Sequence, residues 1–189
     1  MCLIETSPEI STRRLTLRAP AIEDATRIAE ICADPAVSRM TVSMPHPYGL
    51  GEAEAWIARA QGQDPRRERN FVIDHEDAGV VGMVSLFPQP GRQPHDRGPD
   101  RPGLGTELGY CVGAGWQGRG FATEAVQGLL AWARRDWRRR VVAASHFTDN
   151  PASGRVLEKA GFLYTGERMS LFSRAREAAT EARLMVWLA

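Results

Sequence analysis

The run ELGYCVGAGWQGRGFA, from Glu107 to Ala122, decides how this chain folds. Glu107–Val112 has the length and composition of a strand, and Gly113–Gly120 is too rich in glycine for regular structure. From Phe121 the apolar residues Ala122, Ala125, Val126, Leu129, Leu130 and Ala133 recur at helical spacing. The expectation is strand, glycine loop, helix. A helix opening on such a loop aims backbone N–H groups and the positive end of its dipole at whatever lies in front, which favours a phosphate. Two nucleotide motifs compete for the loop. Gly113, Gly115 and Gly118 satisfy GxGxxG, but an acidic ribose ligand about twenty residues on would be Asp136, inside a basic helix end. Asp149, at the end of the next strand, is too far, and most of a second βαβ half is missing. Gly113 and Gly118 also have Walker A spacing, but Arg119 and Gly120 stand where lysine and a hydroxyl residue are needed.

Working outward, Thr12–Arg18 alternates as a first strand, and Ile22, Ala25, Ile28, Ala29 and Cys32 mark a helix that Asp34-Pro35 ends. After a turn-rich stretch through Pro45 and Pro47, Ala53, Trp56, Ile57 and Ala60 form the stripe of a second helix. Phe71–Ile73 and Val80–Phe87 flank a polar turn and predict an antiparallel hairpin. Pro88–Gly105 holds five prolines and four glycines and reads as a long mobile loop, either a substrate-side flap or a solvated insertion. Behind the glycine loop, the basic run from Arg134 to Arg140 complements a helix C-terminus. Val141–Phe147 is a buried strand. Asn150 caps a helix that has Pro151 at its first position and Gly161 past its end. Strands follow around Phe162–Arg168 and Arg183–Leu188. No linker divides the chain, so a single α+β domain is expected over residues 1–189.

Composition narrows the partners. The chain has 189 residues and a net charge of +1, which argues against bulk attraction to nucleic acid or to an anionic membrane. Its apolar runs fall far short of a membrane span, and the opening MCLIETSPEISTRR lacks the apolar core of a secretory signal. Three cysteines, an odd number without motif spacing, read as reduced thiols in a cytoplasmic protein. The histidines lack metal-ligand spacing, so no metal is expected.

Gln117-Gly118-Arg119-Gly120-Phe121-Ala122 resembles the (Q/R)xxGx(G/A) signature of the GNAT acetyltransferase superfamily. TRRLTLR at Thr12–Arg18, ELGYCV before the loop, and Asn150, Ser153 and Val156–Phe162 stand in order where that superfamily has counterparts. The detailed pattern is similar to the branch of the ribosomal-protein N-terminal acetyltransferases. The resemblance implies an α/β/α arrangement: a mixed, twisted, mostly antiparallel sheet of about six or seven strands with helices on both faces. It also implies acetyl-CoA as co-substrate, lodged between the ELGYCV and VVAASHF strands. Its pyrophosphate would meet Gln117, Gly118, Arg119, Gly120, Phe121, Ala122 and Thr123, and its pantetheine arm Tyr110, Cys111, Val112 and Asn150.

Acetyl transfer to a primary amine needs a base, because an α-amine has a pKa of about 7.7–8.0 and a lysine about 10.4. The resemblance puts Glu107 in that role, with a strand-end surface glutamate as the bland alternative. A backbone N–H of Tyr110–Val112 would meet the oxyanion. Many members of the superfamily carry a tyrosine in the last helix to protonate the thiolate. Leu157 stands there in this chain, so the expected donor is Ser153 or solvent. Cys111 with His146 would make a covalent acyl-enzyme, but nothing in the spacing orients that pair. The acceptor is a protein N-terminal α-amine or a small-molecule amine, and the reading admits a homodimer. Its rival is a coenzyme-A-binding regulatory module with weak turnover.

Overall fold

The computed structural model describes residues 8–88 and 105–189. Apart from its two end residues, the loop expected over Pro88–Gly105 lies outside the described residues. The strands are β1 (Ile10–Ser11), β2 (Leu15–Arg18), β3 (Arg69–His75), β4 (Gly79–Phe87), β5 (Glu107–Val112), β6 (Val141–Phe147), β7 (Leu163–Ser173) and β8 (Ala178–Leu188). The helices are α1 (Ala25–Ala33), α2 (Pro35–Ser38), α3 (Leu50–Gly62), α4 (Phe121–Arg135) and α5 (Pro151–Lys159). One mixed sheet runs β1-β2-β3-β4-β5-β6-β8-β7, eight strands against an expected six or seven. All neighbours are antiparallel except β5 and β6.

The additional strand, β1, precedes the one read over Thr12–Arg18, whose ladder begins only at Leu15. Glu124 accepts from the Thr12 hydroxyl at 2.8 Å and from the Arg14 backbone N–H at 2.7 Å, and the second of these diverts a donor that a ladder would use. Thr12 N–H donates to Leu15 O at 2.8 Å instead, closing a turn between β1 and β2. The terminal hairpin is also longer than read. Its outer arm is exposed on both faces through much of its length, so it carries no burial alternation that a sequence pattern would reveal.

Two apolar cores sandwich the sheet. Leu17, Phe71, Leu108, Val126, Leu129 and Leu157 fill the side under α4 and α5. Ile28, Cys32, Ile57, Val72, Met83 and Cys111 fill the side under α1 and α3. Strand alternation therefore sends Leu108 and Val112 one way and Cys111 the other. At Gly82 the β4 backbone lies so close to β5 that a Cβ would stand 2.2 Å from the Cys111 carbonyl oxygen. The β3–β4 ladder shifts register there, between Ile73 and Asp74.

Candidate active site

The parallel pairing of β5 with β6 covers Glu107↔Ala143 and Leu108↔Ala144, whereas β5 stays bonded to β4 as far as Val112. Past Leu108, the β6-facing edge of Gly109–Val112 has no strand partner among the described residues. Backbone polar groups in such a place need a ligand or water. The glycine loop folds onto this opening, because Gln117 Nε2 donates to Val112 O at 3.0 Å. Gly118 and Gly120 have φ of 75° and 81°, which lets the loop turn its amides toward the first turn of α4. Glu124 sits in that turn, where a carboxylate would repel an anion. Burial alone would raise its carboxyl, but hydrogen bonds from Thr12 and Arg14 outweigh that and hold it below the ordinary range. Its ion pair with Arg14, at 2.7 Å, offsets the charge.

A cavity of about 320 Å³ begins at this loop. Tyr110, Cys111, Val112, Gln117, Gly118, Gly120, Phe121, Ala122, Thr123, Asn150 and Ser153 all line it. Arg119 is not part of the lining; its guanidinium lies 4.8 Å over the Trp116 ring. Sequence reasoning missed Trp116, Arg155 and Lys159, and also most of the far wall, Ala36, Val37 and Met40; Thr41 begins the loop Thr41–Gly51, which reads as pocket-forming but carries no code for a ligand. Arg155 and Lys159 share one face of α5 at i, i+4, but they lie two and six positions from Ser153 and so on a different face, and Ser153 gave no pointer to them. The far wall gives no signal either, because tertiary contacts position it. Arg176, at the tip of the β7–β8 hairpin, donates to Arg39 O at 2.6 Å and grips Asp149 at 2.7 and 3.1 Å. Ser173 Oγ donates to Thr41 O at 3.0 Å.

Glu107 lies outside the lining, at the start of β5 and on the same strand face as Cys111. Burial raises its carboxyl pKa, and a 3.3 Å hydrogen bond from Ser145 partly offsets the rise. Asn150 Oδ1 accepts from Ser153 N–H at 3.1 Å, so its capping role is occupied and its amide N–H groups remain to meet a ligand. Leu157 is fully buried in the core beneath α4 and α5 and offers no proton. A hydroxyl reaches the same helix from β5: Tyr110 Oη is 2.7 Å from Ser153 Oγ. Cys111 and His146 do not form a couple. Cys111 packs under α1 and α3, while the His146 ring nitrogens meet Phe147 O at 2.9 Å and Tyr164 Oη at 3.0 Å.

Residues 14–163 match the model of the Acetyltransferase (GNAT) domain. The chain belongs to the GNAT acetyltransferase family. This acetyltransferase is 22% identical over 160 residues to the Uncharacterized N-acetyltransferase YnaD of Bacillus subtilis (strain 168), covering 83% of this chain and 84% of that protein. It shares its fold with the ribosomal-protein-S5-alanine acetyltransferase of Vibrio fischeri, with a TM-score of 0.75 at 17% identity over 96% and 97% of the two chains. It likewise shares its fold with the microcin C7 self-immunity acetyltransferase MccE, solved in complex with acetyl-CoA and AMP. That TM-score is 0.74 at 14% identity over 94% and 93% of the chains. Among the described residues of this acetyltransferase, no helix is long and apolar enough to cross a membrane.

Proposed function

We propose that this acetyltransferase moves an acetyl group from acetyl-CoA directly to a primary amine while both are bound. One observation carries the reading: the cavity joins the glycine-rich start of α4 to the edge of β5 that has parted from β6, with the start of α5 opposite, and runs on to a separate wall at α2 and just after it. The first part fits a diphosphate, held by backbone N–H groups of Gly118–Thr123 at a helix N-terminus. The parted strand edge fits an extended amide-bearing arm, with Tyr110–Val112 on one side and the Asn150 amide on the other. The wall at Met40 and Thr41 fits the acceptor.

Within this cleft the backbone N–H groups of Tyr110–Val112 steady the oxyanion as the amine attacks. Glu107 receives the surplus amine proton, directly or through water, helped by a raised pKa that makes it a better base than an exposed carboxylate. Ser153 donates to the departing sulfur. The acceptor is an N-terminal α-amine of a protein or an amine on a small molecule; the fold relatives include enzymes named for each kind of substrate. The test is steady release of coenzyme A from acetyl-CoA across a panel of peptide N-termini and polyamines. Binding of coenzyme A without turnover on any amine would favour a regulatory module instead.

A further inference from the structure

Ser153 is pinned twice. It is the third residue of α5, where the Asn150 side chain caps its backbone N–H at 3.1 Å. Its hydroxyl lies 2.7 Å from Tyr110 Oη, which crosses from β5 and also donates to the Ser153 carbonyl oxygen at 3.1 Å. Both side chains line the cavity. Each hydroxyl has a single proton to give, so the direction of the 2.7 Å bond decides whether the Ser153 proton points into the cavity or at Tyr110. The phenol is the more acidic hydroxyl and the better donor, and the aliphatic oxygen is the better acceptor. The Ser153 carbonyl can only accept, so the phenol proton is shared between the two Ser153 oxygens, with the branch to Oγ the shorter.

We propose that Tyr110 is a positioning residue: its hydroxyl donates to Ser153 Oγ and thereby turns the Ser153 proton into the cavity, toward the sulfur that departs on acetyl transfer. The inference rests on reading the cavity as the acetyl-transfer cleft. In that step the amine nitrogen forms the C–N bond, and the C–S bond breaks with its electron pair on sulfur. The surplus amine proton passes to Glu107. The Ser153 hydroxyl gives the sulfur a hydrogen bond, and the released thiolate takes its proton from water. Tyr110 itself stays protonated throughout, because burial pushes its pKa up to about 12.

A double-mutant cycle on Y110F, S153A and Y110F/S153A tests this, with kcat measured at saturating acetyl-CoA and amine. Each single variant is expected to lose about tenfold in kcat, the scale of one hydrogen bond, with the Kd for coenzyme A within twofold of wild type. The double variant is expected to be no slower than S153A. Additive losses of about a hundredfold, or a Y110F at wild-type kcat, would overturn the positioning role while leaving the acetyl-transfer reading intact. Wild-type protein without turnover on any amine would overturn both. A check that leaves Tyr110 in place uses NMR. The Tyr110 hydroxyl proton is expected to exchange slowly with water and to cross-relax with the Ser153 methylene, and exchange as fast as in free tyrosine would equally overturn the proposal.

Discussion

Replacing Glu107 by Gln separates a base from a structural carboxylate through two readouts of one substitution. The variant keeps the side-chain shape and the Ser145 hydrogen bond, and loses only the site for a proton. General-base catalysis is worth roughly 10²–10⁴-fold, so kcat is expected to fall by that order while the Kd for coenzyme A holds. With an α-amine acceptor the defect is expected to shrink as pH rises through about 8, because more of the amine arrives deprotonated. Stability is expected to move the other way. Burial raises the Glu107 carboxyl in the folded state, so folding favours its protonated form. That contribution is complete below the unfolded pKa, near 4.3, and is lost as pH climbs through the higher folded value. At pH 7 the buried carboxylate costs stability, and Gln is spared that cost. Thermal unfolding of E107Q at pH 7 is therefore expected at or above the wild-type temperature, with the advantage gone by about pH 4. A pH-independent defect under threefold, or a lower melting temperature at pH 7, would refute the reasoning.

Coenzyme A at a hundredfold excess over its Kd is expected to stabilise the protein by about 2.7 kcal/mol, seen as a melting shift of several degrees, and NAD is expected to give none; a shift with NAD alone reverses the reading of the loop. Gly120→Val is expected to weaken coenzyme binding tenfold or more by calorimetry, and to lose a further 1–2 kcal/mol, roughly, of stability because Gly120 has φ of 81°. A folded variant with unchanged affinity would end the assignment of the cradle. Gly82→Ala forces a methyl to within 2.2 Å of the Cys111 carbonyl oxygen. The expected cost is about 1–3 kcal/mol or more in denaturant titration, together with a fall in kcat, since the displaced backbone is the one that lines the cleft. Arg176→Met is expected to raise the amine KM several-fold with little change in coenzyme affinity, because it loosens the hold on Arg39 and Asp149. Equal effects on both ligands would count against a separate acceptor wall.

Local periodicity and glycine placement made the loop end of the cavity, where we propose the coenzyme binds, legible as strand, glycine loop and helix. Strand, glycine loop and helix are contiguous between Glu107 and Arg135, so spacing alone aligns the N–H groups of Gly118–Thr123. The Asn150 cap and Pro151 fixed the start of α5 in the same local way. The eighth strand was not legible, because a side chain from elsewhere makes it. Glu124, 112 positions along the chain from Thr12, takes the hydroxyl that turns β1 into β2.

The acceptor end was illegible for a related reason. Met40 and Thr41 carry no motif, and their place depends on Arg176 and Ser173, more than 130 positions away. The same holds for proton handling. Leu157 showed in the sequence that the last helix lacks the expected tyrosine, but the hydroxyl that meets Ser153 comes from Tyr110, 43 positions earlier and on a different element. A hydroxyl needs only to reach its partner, so the strand that carries it is free to differ while the geometry at the sulfur stays the same. The phosphate cradle has no such freedom, since its donors are the backbone itself. That asymmetry explains why the loop carried the family resemblance in the sequence while the contact between Tyr110 and Ser153 had to be found in three dimensions.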